Sequence, residues 1–270
     1  MSQDSPPSGP TLICSTGSFF DRPLREAFAL IAEAGFGGVE VMVTRDPASQ
    51  QAHSLRELVR QHGLPVRAIH APFLLMTRKV WGTDPVGKIY RAIDLAQETE
   101  TAVVVVHPPY RWQTAYRRWL DERLPGLAEH TGVHVAVENM FPVSLRGGRG
   151  VRFHSDQRID ELGRFPHVVL DTSHAAVANV DLFDAYHQLN DRLIHVHLSN
   201  NAGRGWDSHL PLEQGVLPIP QFLDLLAAEG FTGNVSLELD LRRYREDGAS
   251  LRDVLASNRA LCQDRLPLQA

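Results

Sequence analysis

The chain has 270 residues and a formal net charge of −5, with 43% hydrophobic and 22% charged residues. That balance excludes a fibrous or wholly disordered chain, and the length suits one α/β barrel better than one small domain. The acidic charge argues against a protein whose main task is gripping a polyphosphate backbone.

Residues 1–10, MSQDSPPSGP, are polar and rich in Pro and Ser, without the basic and apolar regions of a signal peptide. We expect a disordered arm there, followed by a single domain over 11–270. No apolar run reaches the length of a membrane span. Cys14 and Cys262 lie at opposite ends and form no CxxC pair, so a reducing compartment, the cytoplasm, is expected.

From residue 11 one pattern recurs: a short β-branched run, a loop, then an amphipathic helical stretch. The strand candidates are residues 11–17, 38–43, 66–73, 102–109, 133–140, 167–174, 193–200 and 234–240. Several are almost wholly apolar, as parallel strands buried on both faces should be. Helical spacing fills the gaps: residues 24–35 carry Leu24, Ala27, Phe28 and Ile31 on one stripe and end in Gly35. Residues 54–63 and 219–230 repeat the design. Strand–helix alternation implies right-handed crossovers, and eight such units imply a single (β/α)8 TIM barrel. The other fold weighed, an open doubly wound sheet, would usually carry a Gly-rich turn after its first strand; STGSFF is not GxGxxG.

Active sites of such barrels lie at the C-terminal strand ends. Those ends carry His70, His107, Glu138, Asp171 with His174, His197 followed by Asp207 and His209, and Glu238. Each alone has an ordinary structural explanation; Asp171, for instance, could cap a helix. Together, nine buried polar groups converging without a cation would leave carboxylates unpaired. Imidazole mixed with carboxylate suits Zn2+, Mn2+, Co2+ or Fe2+ better than Mg2+ or Ca2+, and nine donors leave room for one to three ions. Glu40 and Asp240 fit no ligand pattern and read as structural or as supports behind the ligands. His195 points the same way as His197 but deeper. His53, His62, His130, His134 and His187 fall away from the rim.

With these residues, the chain after its first ten residues resembles the xylose isomerase-like TIM-barrel superfamily, which includes sugar isomerases and epimerases and the endonuclease IV branch, AP endonuclease family 2. The resemblance to the epimerases implies one metal held by Glu138 (VENM), Asp171 (LDTSH), His197 (HVHLSN) and Glu238 (LELD), with Glu138 and Glu238 also acting as acid and base. The resemblance to endonuclease IV adds His70 (HAPF), His107 (VHPP), His174, and Asp207 with His209 (WDSH), the set of a trinuclear zinc site. Departures exist: LICSTGSFF is closer to the sugar-enzyme branch, and Gln214 stands where the sugar enzymes' turn has Glu.

Two activities follow. The first is isomerisation or epimerisation of a small sugar, polyol or sugar phosphate, with a divalent ion polarising the carbonyl and the two glutamates exchanging a proton. Trp81, Trp112 and Trp206 would wall the sugar, and Arg146, Arg149 and Arg152, in a Gly-rich loop, would pair with a phosphate. Each could equally be packing or solvated charge. The second is metal-dependent hydrolysis of a small phosphoester or of abasic DNA. No set of basic and aromatic loops for entering a duplex stands out, and RWQTAYRRW (111–119) reads as an amphipathic helix. A non-catalytic binding barrel would be expected to have lost some ligands. The short loops leave room for a homodimer.

Overall fold

β-Branched runs too short to stand alone find parallel partners on both sides and close on themselves. The strands are β1 (Thr11–Ser15), β2 (Val39–Met42), β3 (Val66–His70), β4 (Val103–Val106), β5 (His134–Glu138), β6 (Val168–Asp171), β7 (Leu193–Leu198) and β8 (Asn234–Leu237). All neighbours are parallel, in the order β1 to β8, and the circle closes through Thr11 opposite Asn234 and Cys14 opposite Leu237. The helices are α1 (Leu24–Glu33), α2 (Ala52–His62), α3 (Pro85–Glu98), α4 (Thr114–Glu122), α5 (Leu127–Thr131), α6 (Ile159–Leu162), α7 (Thr172–Val177), α8 (Leu182–Leu189), α9 (Ile219–Ala228) and α10 (Gly248–Gln263). This computed structural model describes residues 9–73, 77–143 and 150–269. The arm expected over 1–10 therefore lies outside the described residues, apart from Gly9 and Pro10. Within the described residues no helix is long and apolar enough to cross a membrane.

The alternation of side chains along each strand builds two layers. One set of alternate positions, such as Val39, Val41, Ile69, Val135 and Val137, joins the large core between strands and helices. The other set, with Ala68, Val103, Val105, Ala136 and Val169, fills the barrel interior. The same parity carries on to the strand ends: Ala68 is followed two places on by His70, Val105 by His107, Ala136 by Glu138, and Val169 by Asp171. Small interior residues below thus set a ring of polar side chains above, all aimed at the barrel axis. A one-residue slip in any strand would turn its polar group into the helix layer.

Helix starts follow local chemistry. Asp84 caps α3 ahead of Pro85, Asp181 caps α8 and Asp247 caps α10. The sixth strand is shorter than its sequence pattern suggests. It stops at Asp171, whose side chain accepts the backbone N–H of His174 and opens α7, so His174 belongs to a helical turn. RWQTAYRRW forms a helix only from Thr114; Tyr116, Trp119 and Leu120 form its buried stripe.

Candidate metal centre

The polar ring closes over the barrel axis. His197 is fully buried, and its Nδ1 faces three carboxylates: Glu138 Oε1 at 3.1 Å, Glu238 Oε2 at 3.2 Å and Asp171 Oδ2 at 3.7 Å. Donors on one ion, with bonds of about 2.1 Å, sit about 3.0–3.4 Å apart. Asp171 divides its two oxygens: Oδ1 caps α7, whereas Oδ2 is buried without a hydrogen-bond partner among the described residues. The capping and liganding readings of this residue are thus compatible. Asn139 clamps its backbone, accepting Asp171 N–H at 2.6 Å and donating to Asp171 O at 3.1 Å.

Glu138 joins this cluster to a second. Its Oε2 makes no hydrogen bond, yet lies 3.4 Å from His70 Nε2 and 3.2 Å from His107 Nε2. His70 Nδ1 is 3.0 Å from Ala71 O, and a carbonyl can only accept, so Nδ1 carries the proton. In its neutral form His70 then turns a lone pair towards a carboxylate, an arrangement that a cation or a proton between them stabilises.

A third cluster lies towards solvent. His174 Nδ1 donates to Asn139 O at 2.8 Å, and its Nε2 is 3.3 Å from Asp207 Oδ2. His209 Nε2 is 2.8 Å from the same oxygen, while its Nδ1 meets Glu238 O at 3.2 Å and Ser199 Oγ at 3.1 Å. Ser173 Oγ holds the other Asp207 oxygen at 2.6 Å. His209 has a φ of +37°, a strained conformation for a side chain of its kind at a point where it is aimed at Asp207.

Burial opposes charge on these groups; it prevails at His107 and His195, whose imidazoles are lowered, and is overcome at most of the others by opposite charges. Facing imidazoles hold Glu40, Glu138 and Asp207 well below the usual carboxylate range. Facing carboxylates hold His174 and His197 well above the usual imidazole range, and His209 at about 10. Glu238 differs: burial dominates and its carboxyl is raised.

These donors fit a divalent metal. Glu138, Asp171 and His197 form one candidate group, His70, His107 and Glu138 a second, and Asp171, His174 and His209 a third. The two orphaned carboxylate oxygens point into the first two of them. Above lies a cavity of about 590 Å³ that includes Phe19, Phe20, Met42, Met140 and Phe141 in its walls.

The family model described as "Xylose isomerase-like TIM barrel" matches residues 28–258. This chain belongs to that family. An uncharacterized protein of Mycobacterium tuberculosis is 34% identical over 254 residues, covering 86% of this chain and 89% of its own. The 2-oxo-tetronate isomerase of Pectobacterium atrosepticum is 25% identical over 247 residues, covering 85% and 91%. Among solved structures, the IolI protein with a bound zinc atom has a TM-score of 0.71 at 16% identity, covering 94% of this chain and 99% of that one. The 3-keto-D-glucoside 4-epimerase of E. coli has 0.68 at 21%, covering 93% and 99%. Both share the fold.

In this xylose isomerase-like barrel, all nine residues expected at the rim meet in one contiguous cluster. The three tryptophans do not join them. Trp81 packs against the core, Trp112 is exposed and stacked on Tyr110, Trp206 is exposed beside Arg204, and none lines the cavity. Arg152 pairs with Glu161 at 3.3 Å in a neighbouring groove. Arg146 and Arg149 lie outside the described residues. The aromatic wall comes instead from Phe19, Phe20 and Phe141, which directly follow strand-end motifs in STGSFF and ENMF. Gly17 lets the first loop close on the site, for a Cβ there would meet Met42 Cε at 2.7 Å and Glu238 Oε1 at 3.2 Å. Glu40 proved more closely engaged than its sequence position suggested: its carboxylate accepts from Ser236 Oγ at 2.7 Å and lies 3.1 Å from His195 Nε2 and 2.9 Å from His197 Nε2.

Proposed function

We propose that this chain is a divalent-metal-dependent isomerase or epimerase acting on a small hydroxy-carbonyl compound of the sugar class. The observation that carries this reading is the convergence of Glu138, Asp171, His197 and Glu238, from the ends of four successive strands, with the three carboxylates lining the cavity and His197 buried against them. A zinc or manganese ion held by these four would polarise a substrate carbonyl and acidify the neighbouring C–H. Glu238 is the better placed of the two glutamates to exchange that proton. Its side chain is 15% exposed against 2% for Glu138, and its raised carboxyl can hold a proton between the two halves of the reaction. Glu138 serves the opposite face of the carbon as a carboxylate held anionic by the imidazoles of His70, His107, His174 and His197. Burial around His70, His107 and His174 keeps water from the reacting carbon. The Pectobacterium isomerase supports the reaction class. The two buried, unpaired cysteines suit a cytoplasmic enzyme.

A second reading, hydrolysis of a phosphoester at a di- or trinuclear site, is favoured by one observation. His70 with His107, and His174 with His209 and Asp207, complete two further donor groups around the first. Metal counting by elemental mass spectrometry, paired with deuterium uptake from D2O into ketoses and 2-oxo sugar acids, separates the two. One ion per chain with deuterium at the carbon beside the carbonyl supports the isomerase. Two or three zinc ions, phosphodiester cleavage and no deuterium uptake would reverse the ranking.

A further inference from the structure

The walls of the cavity are not charge-balanced. Above the donor floor and the aromatic waist, the mouth carries Arg22, Arg45 and Arg242 against Asp46 and Asp240. Asp240 is taken by Arg242, in a two-pronged pair. Asp46 is taken by backbone: Oδ1 accepts Ala48 N–H at 3.0 Å and Oδ2 accepts Leu24 N–H at 2.8 Å. Arg22 reaches Glu26 only at 3.6 Å, on an exposed face, and its other arm meets Arg245 O. Arg45 is exposed at the mouth and has no hydrogen-bond or ion-pair partner among the described residues.

Asp46 does more than leave Arg45 unpaired. Its Oδ2 ties the loop after β2 to the start of α1, while Oδ1 caps its own turn, so the two segments that carry Arg45 and Arg22, both lining the cavity, are joined. Two guanidinium groups on joined segments of one cavity, with no wall carboxylate left for Arg45, form a docking point for an anion.

We propose that the substrate carries a carboxylate or phosphate group at the end remote from its reacting carbon, and that Arg45, with Arg22 beside it, binds that group. This deepens the isomerase reading and rests on it for the position of the reacting end. The cavity then matches a short linear molecule: oxygens on the donor floor, carbons against Phe19 and Met42, and an anionic terminus at the mouth. Arg45 sets specificity without touching the reacting atoms.

The test is calorimetric titration of the full-length protein, as purified with its metal, using D-erythronate, glycerol 3-phosphate and neutral erythritol. Wild type is compared with Arg45→Gln and with Arg60→Gln, which removes an equal charge from the exposed face of α2. We expect at least one anion to bind tenfold or more tighter than erythritol. Arg45→Gln should lose at least tenfold of that affinity while erythritol binding stays within twofold; Arg60→Gln should match wild type. Tighter erythronate identifies a sugar acid, and tighter glycerol 3-phosphate a sugar phosphate. Anions that bind no better than erythritol, or equally well to Arg45→Gln, would overturn the proposal. Loss of anion binding in Arg45→Gln without deuterium uptake by any ketose would leave the anion site standing and remove the isomerase.

Discussion

Glu40 Oε1 lies 2.9 Å from His197 Nε2, on the ring edge opposite the Nδ1 that faces Glu138, Asp171 and Glu238. A carboxylate behind a liganding imidazole fixes its orientation and strengthens it as a donor. Glu40 is itself anchored by Ser236 and His195 and is fully buried. Glu40→Gln keeps the shape but replaces the anionic acceptor. Metal affinity, measured by competition with a chelating dye, should fall about 10- to 100-fold. An unchanged affinity would mean that Glu40 merely fills space.

The two glutamates should separate under the same substitution. Glu138→Gln removes a carboxylate shared by two donor groups, so bound metal should be lost along with turnover. Glu238→Gln stands at the cavity side with more solvent access and belongs to none of the shared donor groups, so it should lose much less metal than Glu138→Gln while deuterium uptake falls by at least about 100-fold. Equal metal loss in both variants would remove the distinction between them.

Metal binding should release protons and tighten as pH rises. In the metal-free protein His174 and His197 are held well above the usual imidazole range and His209 at about 10, so all three are protonated at pH 7. A ligand must give up its proton. Titration at pH 7 in buffers of different ionisation enthalpy should therefore report proton release, and affinity should climb from pH 6 to 9. The metal-free fold has the opposite dependence. A raised folded-state pKa gives stability that is complete below the unfolded value of about 6.5 and is lost as pH passes about 10 for His209. The Tm gap between metal-loaded and metal-free protein should widen over that interval. A constant gap would contradict protonation of these three imidazoles.

Lys88 holds the rim from outside the candidate metal centre. It lies on α3, is only 4% exposed, and its Nζ donates to Pro72 O at 2.7 Å, Arg78 O at 3.0 Å and Thr77 O at 3.3 Å. Lys88→Met leaves those carbonyls without their charged donor. Urea unfolding should show a loss of about 2–4 kcal/mol. A loss below about 0.5 kcal/mol would indicate that water replaces the ammonium at no cost.

Much of the site could be read before folding because a parallel strand leaves a plain trace. Its apolar run ends at the barrel rim, and the next polar residue of inward parity faces the axis. His70, His107, Glu138 and Asp171 follow that rule, whereas His197 and Glu238 share the inward parity with polar His195 and Ser236 beneath them. The tryptophans followed no such rule. Trp112 and Trp206 sit in loops whose course is set by partners distant in sequence, and Trp112 turned to stack on Tyr110. The walls went instead to Phe19, Phe20 and Phe141, ordinary apolar residues in sequence.

The sequence by itself determined the barrel, its eight strands and the nine polar side chains gathered at the rim, because strand periodicity and local composition decide which way each side chain points. Only the tertiary structure decided which donors share which neighbours. Glu138 links two clusters, Asp171 divides its oxygens between a helix cap and the candidate metal centre, and Glu40 supports His197 from a strand 157 residues away in the chain. Those pairings depend on ångström-scale distances across the barrel axis, where strands far apart in sequence meet, and no local pattern encodes them.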